Sequence, residues 1–422
     1  MKTLFLKSTV ILLVGVIAFL STGCKKDDES PLQAEKDELY AIMDAFYLWY
    51  DKMPEVNTSL YSSPHALMDA LMYKDLDRWS YITTKQQIAA YYDAGEYVGF
   101  GIGTAFDQDN NLWITFIFDD SPLQPSGADR GWRIVAIDGT TPTPSNIGSL
   151  FGPATDGVTK DFSFENHNGE PASYTAAKRT LAMNSIFADT TYQTSVGKIG
   201  YFVLNSFINP TVDELDMVFS NFMMQGVSNL VVDLRYNGGG LVSVATYLAN
   251  LIAGQVANGQ VLGQYVHNNK QSDRDIAFNI EQQANSLALD KLVFITTGNS
   301  ASASELVING LKPHMDIKLV GTKTYGKPTG MYVIESRVSD LVYVPVCFSI
   351  LNANGEGDYY TGIPVDIEQI DDITRPFGDL NEASLSAAIS HIEGSGVKSF
   401  FDYSKALTYP KFTGLQQEIG AW

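Results

Sequence analysis

The spacing of apolar residues changes character twice along this chain, and each change marks a unit. Between residues 35 and 92 apolar side chains recur at helical intervals. Leu39, Ile42, Met43, Phe46 and Tyr47 share one face, and Ala66, Leu67, Ala70 and Leu71 repeat the pattern, which predicts a helical N-terminal unit. From about 93 to 182 the pattern breaks into short runs separated by glycines, as expected of a small β domain. From 183 to 422 apolar runs at 199–204, 229–234, 291–296 and 317–320 alternate with helix-spaced stretches at 212–224 and 241–252. That rhythm predicts an α/β layer around a mainly parallel sheet. The expected fold class is therefore multidomain α+β, and no internal repeat interrupts it.

The first residues form a separate pattern. Lys2 and Lys7 precede an apolar run at 10–20, which is 11 residues long. A membrane-spanning helix needs about 20 apolar residues, so the run fits the core of a signal peptide, residues 1–23. Ser21, Thr22 and Gly23 then lead into Cys24. Small residues before a cysteine at this point resemble a bacterial lipoprotein box, in which that cysteine is acylated and anchors the chain. The other reading is an ordinary secretory signal with an incidental cysteine. Residues 24–34 carry Lys25, Lys26, Asp27, Asp28 and Glu29 and read as a solvated tether. They also resemble the acidic tract that follows the lipidated cysteine of some surface-exported lipoproteins. The expected location is the cell envelope, lipid-anchored on the periplasmic face of the outer membrane or on the cell surface.

Charge narrows the partners. The formal net charge is −20, and loss of Lys2 and Lys7 with the signal peptide leaves −22. Such a surface repels nucleic acid and anionic lipid headgroups. The five histidines are scattered and none stands at metal-ligand spacing, so no metal or other cofactor is expected. With Cys24 lipidated, Cys347 has no disulfide partner; its apolar neighbours mark it as a buried hydrophobe. The sequence leaves the oligomeric state open.

Within 93–182, Gly99, Phe100, Gly101 and Ile102 form a glycine-rich turn entering a strand. Downstream stand Ser121-Pro122, Gly127, Gly131 and a hairpin at Ile137-Asp138-Gly139. This arrangement resembles a PDZ domain, with Trp132 where an aspartate is usual. The resemblance implies a groove in which the amides of the loop 99–102 meet a peptide's terminal carboxylate while the peptide adds to a sheet edge.

Three further stretches carry chemistry. Ser302 lies between the run 291–296 and a helix-spaced stretch to Leu311. Lys327 follows 25 residues later, after the run 317–320. Gly238, Gly239 and Gly240 end the run 229–234. A serine hydroxyl becomes a nucleophile when a base takes its proton, and a lysine serves when it is neutral. Amides at a helix start and in a glycine turn suit a developing oxyanion. Each feature alone is common as a helix cap, a turn or a surface lysine. Their order and spacing are similar to those of the C-terminal processing, or tail-specific, serine proteases. That family's Asp-Leu-Arg-x-Asn-x-Gly-Gly turn falls on 233–240, its Ser-Ala-Ser-Glu helix start on 302–305 and its Gly-Lys loop on Gly326-Lys327. The stretch from Asp75 through Asp77 and Ser80 to Tyr81 resembles the family's Asp-Pro-x-Ser-x-Tyr/Phe stretch.

The resemblance implies a protease core of the ClpP/crotonase type, cutting peptide or protein substrates recognised near their C termini. It places the nucleophile at Ser302, the base at Lys327 and the oxyanion hole at the amides of Gly239 and Ala303. Two positions depart from the family. Met331 stands where some members place a glutamine that orients the lysine, and Pro328 where glycine is usual. Glu305 and Thr329 are the unranked substitutes for that support. The alternative is a catalytically weak or inactive lipoprotein that uses the same fold to bind peptides or other ligands.

Overall fold

The computed structural model describes residues 30–396 and 406–422. The expected signal peptide and Cys24 lie outside the described residues. The tether was expected to run to 34, but the first helix, Pro31–Phe46, starts within it. Ser30 accepts the Gln33 N–H and Pro31 takes the first helical position, a sequence-local start signal that outweighs the charged run before it. The helix Pro64–Leu71 starts in the same way, with Ser63 capping and Pro64 at its first position.

The N-terminal unit is not wholly helical. Tyr81–Thr84 is a strand, antiparallel to Leu341–Val344. Its β-branched residues Ile82, Thr83 and Thr84 suit a pleated surface, but the partner that makes it a strand lies far along the chain. The hydrophobic cluster of Leu39, Met43, Leu67 and Leu71 likewise closes over Tyr343 and Val346. Asp77 pins this seam. It accepts from Tyr47 Oη at 2.8 Å and Ser80 Oγ at 2.6 Å, and Ser80 Oγ in turn receives the Val346 N–H at 3.0 Å.

The middle unit is a five-stranded antiparallel sheet ordered Ile102–Phe106, Leu112–Ile117, Arg133–Ile137, Thr159–Glu165 and Pro171–Ala177. The short helix Ile147–Phe151 covers its core through Phe151, against Phe100 and Phe162. Asp138 and Gly139 both have positive φ, 50° and 72°, as a two-residue hairpin of type I′ requires. Trp132, at the position that departs from the PDZ pattern, packs edge-on against Phe164.

The largest sheet has six strands, ordered Ile367–Glu368, Ile317–Gly321, Lys291–Thr296, Val227–Asp233, Gly197–Leu204 and Ile186–Thr194. All neighbours are parallel except the last pair. Alternate residues face opposite layers, as a pleated strand dictates. Phe202, Leu230, Val232 and Phe294 meet the helices Thr211–Gln225, Val242–Ala257 and Ala303–Leu311. Tyr201, Val231, Val293 and Ile295 meet the helix Ala383–Glu393. Among the described residues no helix is long and apolar enough to cross a membrane.

Candidate active site

Three neighbouring parallel strands deliver the residues singled out above. Val227–Asp233, Lys291–Thr296 and Ile317–Gly321 lie side by side and point the same way, so the loops leaving their C-terminal ends must meet. The glycine turn leaves the first, Ser302 the second and Lys327 the third. Side-chain and backbone bonds lace the loops together. Ser300 Oγ donates to the Leu234 carbonyl at 2.7 Å, Ser304 Oγ to the Asn237 carbonyl at 3.1 Å, and Tyr325 N–H to the Ser300 carbonyl at 3.0 Å.

Those bonds separate three serines of similar sequence context. Ser300 and Ser304 are fully buried, and their hydroxyls are committed to carbonyls of the first loop. Ser302 is half-buried between buried Ala301 and Ala303. Its φ of 55° with ψ of −110° lies outside the regions open to L-residues. Holding such a conformation costs about 1–3 kcal/mol, and it persists only where the surroundings over-determine it.

Glu305 supplies much of that determination. It is completely buried and accepts four hydrogen bonds. Oε2 takes the N–H of Ser302 at 3.0 Å and of Lys327 at 2.8 Å; Oε1 takes Thr324 Oγ1 and the Gly326 N–H, each at 2.6 Å. Burial raises its pKa above the usual carboxylate value, with the four donors partly opposing that rise. One carboxylate thus fixes the backbones that carry both Ser302 and Lys327. Glu305→Gln turns an amide NH₂ toward main-chain donors that cannot rotate away. The expected loss is about 2–4 kcal/mol of stability, read as a lower urea midpoint with unchanged slope. An unchanged midpoint would mean that these bonds do not hold the loop.

Lys327 is 6% exposed, and among the described residues no carboxylate pairs with its amine. Thr329, two residues on, is fully buried, and among the described residues its hydroxyl has no hydrogen-bond partner. Met331 has turned to a different task, packing against the N-terminal hydrophobic cluster. Pro328 is buried in the chain and its carbonyl receives the Ile350 N–H at 3.0 Å. Arg78 joins the same loop from the N-terminal unit, donating to Tyr325 Oη at 3.2 Å and the Gly326 carbonyl at 3.4 Å.

Gly239 approaches Ser302 so closely that a Cβ on it would lie 2.8 Å from the serine Cβ, and its φ is 117°. Only glycine fits there. Its N–H, however, donates to Asn237 Oδ1 at 2.9 Å and is occupied in this structure. Ala303 opens the helix Ala303–Leu311, and among the described residues no acceptor meets its N–H. Asn237 was not singled out from the sequence beyond its place in the motif, because nothing there shows that its side chain caps the glycine turn.

Beneath the turn lies a buried ionic cluster that the sequence did not reveal. Arg235, 1% exposed, contacts Asp233 at 2.6 Å, Glu382 at 2.8 Å and Asp371 at 3.0 Å. Arg130 reaches in from the middle unit to Asp371 at 2.8 Å, and Tyr236 and Tyr409 donate to the same carboxylate. Burial alone would push Asp371 up; Arg130 and Arg235 outweigh it and bring its pKa down to about 2. Cys347 is fully buried, and burial pushes its thiol up to about 12, as suits an inert core residue. Among the described residues no three His, Cys, Asp or Glu side chains gather to hold a metal ion.

The loop 99–102 already has a partner. The N–H groups of Phe100 and Gly101 donate to the main-chain oxygen of Trp422 at 2.7 and 2.9 Å, and Trp422 N–H donates to the Ile102 carbonyl at 2.9 Å. A Cβ on Gly99 would stand 2.8 Å from that same oxygen.

Comparison with known proteins fits this geometry. The peptidase S41 N-terminal domain matches residues 34–81, and peptidase family S41 matches 198–369, together just over half of the chain. Proteins named as CtpA-like serine proteases in Staphylococcus haemolyticus and Staphylococcus aureus are 25% and 26% identical over 334 and 329 residues. The alignments take in 77% and 76% of this chain and 63% and 62% of theirs, so the chain spans less than two thirds of those relatives. An S41 protease structure from Bacteroides fragilis superposes with a TM-score of 0.72 at 24% identity, covering 85% of this chain and 97% of that one. The photosystem II D1 C-terminal processing protease gives 0.53 at 19%, covering 81% and 93%. Two matched domains in the family's order, on a fold shared with S41 structures, establish that this chain belongs to peptidase family S41.

Proposed function

We propose that this chain is a lipid-anchored serine endopeptidase in which Ser302 is the nucleophile and Lys327 the general base. One observation carries the reading. A serine held at positive φ on a helix start, against a glycine that must be glycine, shares one buried carboxylate with the backbone of a buried, unpaired lysine. A strained strand-to-helix turn is how hydrolases expose a nucleophile, and a lysine amine can serve as the base for such a serine.

In the reaction the neutral Lys327 amine takes the Ser302 proton as Oγ bonds to the substrate carbonyl carbon. The oxyanion then meets the Ala303 N–H and the Gly239 N–H, the latter after exchanging Asn237 Oδ1 for the substrate oxygen. Lys327 returns the proton to the leaving amine as the C–N bond breaks. Water, deprotonated by the same lysine, releases the acyl group and restores Ser302. The unpartnered Thr329 hydroxyl is suited to steady the lysine where Met331 cannot. The middle unit acts as a PDZ-like domain that receives peptide ends, and Cys24 ties the enzyme to the cell envelope.

A fluorophosphonate carrying a short peptide tests the nucleophile directly. Mass spectrometry is expected to find the adduct on Ser302 alone, with labelling at least a hundredfold slower in Lys327→Met, the range a general base supplies. A folded protein that takes no label, or takes it on another residue, would leave the binding-protein alternative in possession of the fold.

A further inference from the structure

The groove beside the loop 99–102 is filled by the chain itself. Trp422 extends the edge strand Ile102–Phe106 through its N–H bond to Ile102, while the amides of Phe100 and Gly101 converge on its main-chain oxygen. Two N–H donors on one oxygen suit a carboxylate better than a neutral carbonyl. The indole lies flat on Phe151, with centroids 4.6 Å apart and planes at 3°, and Phe412 meets it edge-on. Its Nε1–H donates to Thr104 Oγ1 at 2.9 Å, so both the apolar face and the polar edge of the ring are matched. This is strand addition with a side-chain pocket at its end.

The rest of the segment crosses the active-site face. Thr408 exchanges two backbone hydrogen bonds with Phe106 at the far end of the same edge strand. A Cβ on Gly238 would lie 2.6 Å from the Gln417 carbonyl, so the segment lies directly on the glycine turn. A cleft of about 610 Å³ lies between Asn299, Ala301 and Tyr325 on one side and Tyr409, Phe412 and Gln417 on the other. In this same arrangement the Gly239 N–H is tied to Asn237. The segment also has a weak point. Glu418 is 8% exposed and accepts from Tyr92 Oη at 2.6 Å, yet no Lys or Arg pairs with it among the described residues. A buried carboxylate held only by a neutral donor costs stability.

We propose that residues 415–422 are a resident, displaceable ligand of this groove, and that the groove selects peptide ends with a free carboxylate and an aromatic last side chain. An incoming chain end of that kind takes the place of Trp422 and draws the segment off the glycine turn. The proposal rests on the peptide-binding reading of the middle unit and not on the Ser302–Lys327 chemistry.

Binding can be read without turnover by working with the full chain carrying Ser302→Ala. A fluorescein-labelled peptide of residues 416–422, as the free acid, is titrated by anisotropy against this chain, against a form that also lacks 415–422, and against a form with Trp422→Ala. Both altered forms are expected to bind at least tenfold more tightly than the full chain. The C-terminal amide and a peptide ending in alanine are each expected to bind at least tenfold more weakly than the acid. Because removal of 415–422 strips core contacts of Ile419 and Ala421, Trp422→Ala decides if the shortened form does not fold. In that variant hydrogen exchange at the Phe100 and Gly101 amides should accelerate at least tenfold and slow again when peptide is added. Equal affinity of all three chains, equal binding of acid and amide, or unchanged exchange would overturn the proposal. If fluorophosphonate labelling failed while these curves behaved as expected, only the catalytic reading would fall.

Discussion

Ser302→Ala is expected to reduce peptide hydrolysis by roughly 10³–10⁶-fold, Lys327→Met by a similar factor, and the double variant by little more than either. The reason for the shared floor is that the two groups perform one act. Without the hydroxyl there is nothing to deprotonate, and without the amine the hydroxyl stays protonated. Methionine keeps most of the lysine stem, which matters because Lys327 is buried and a shorter residue would also leave a cavity. Alanine at 302 keeps the Cβ beside Gly239 and inherits the same positive φ, so the two single variants should melt close to the parent. The measurement is kcat/KM on a reporter peptide beside circular-dichroism melting of each protein. If the effects multiplied in the double variant, the two residues would be acting independently and the dyad would be wrong. If Lys327→Met kept near-parental turnover, some other group would be the base.

Arg235→Met is expected to be the most damaging single change to the fold. Asp233, Asp371 and Glu382 all converge on one guanidinium, with side chains 0–3% exposed. Arg130 still faces Asp371 in the variant, but Asp233 and Glu382 lose their only cation in that cluster. Breaking a buried pair costs about 3–5 kcal/mol because the remaining charge is stranded. That is a large share of the 5–15 kcal/mol by which folded domains are usually stable. The loss should appear as a fall in Tm of roughly 4–6 °C for a chain of this length. Arg235→Lys should fall between the two, since one ammonium cannot serve three carboxylates with the fork of a guanidinium. The cluster also fixes an acid limit. Asp371 is held below its unfolded value, so its contribution is present above pH ~4 and is lost as pH falls toward 2. Acid unfolding of Arg235→Met should therefore begin at a higher pH than that of the parent. A variant that melted with the parent at neutral pH would show that solvent reaches the cluster and screens it.

The parts legible in the sequence are those whose cause is local. Strand and helix alternation around 199–252 follows from apolar spacing, and the strands at 227–233 and 291–296 lie where the apolar runs stand. Asp138-Gly139 reads as a hairpin because its φ values are written into those two residue types. The parts that were not legible depend on partners distant in the chain. Tyr81–Thr84 reads as helix because its strand partner is at 341–344. Arg235 looks like part of a motif, while its reason for being arginine lies at Asp371 and Glu382. Spacing brings Ser302 and Lys327 to adjacent loops. It cannot show that Glu305 holds both backbones, that Asn237 occupies the Gly239 amide, or that Trp422 fills the groove at 99–102.

The seam between the first and last thirds of the chain also sets an order of assembly. Strand Tyr81–Thr84 and the cluster around Leu39 and Met43 are complete only when Leu341–Val344 and Val346 are in place. At a synthesis rate of about 5–20 residues per second, some 10–50 s separate the two halves of that seam on the ribosome. During that interval the early helices have no surface on which to close. The loop bearing Lys327 lies between Tyr81–Thr84 and Leu341–Val344 in the chain, and Arg78 of the early segment is one of its supports. A chain cut between 327 and 341 therefore carries the glycine turn, Ser302 and Lys327 without the strand that completes the frame around them.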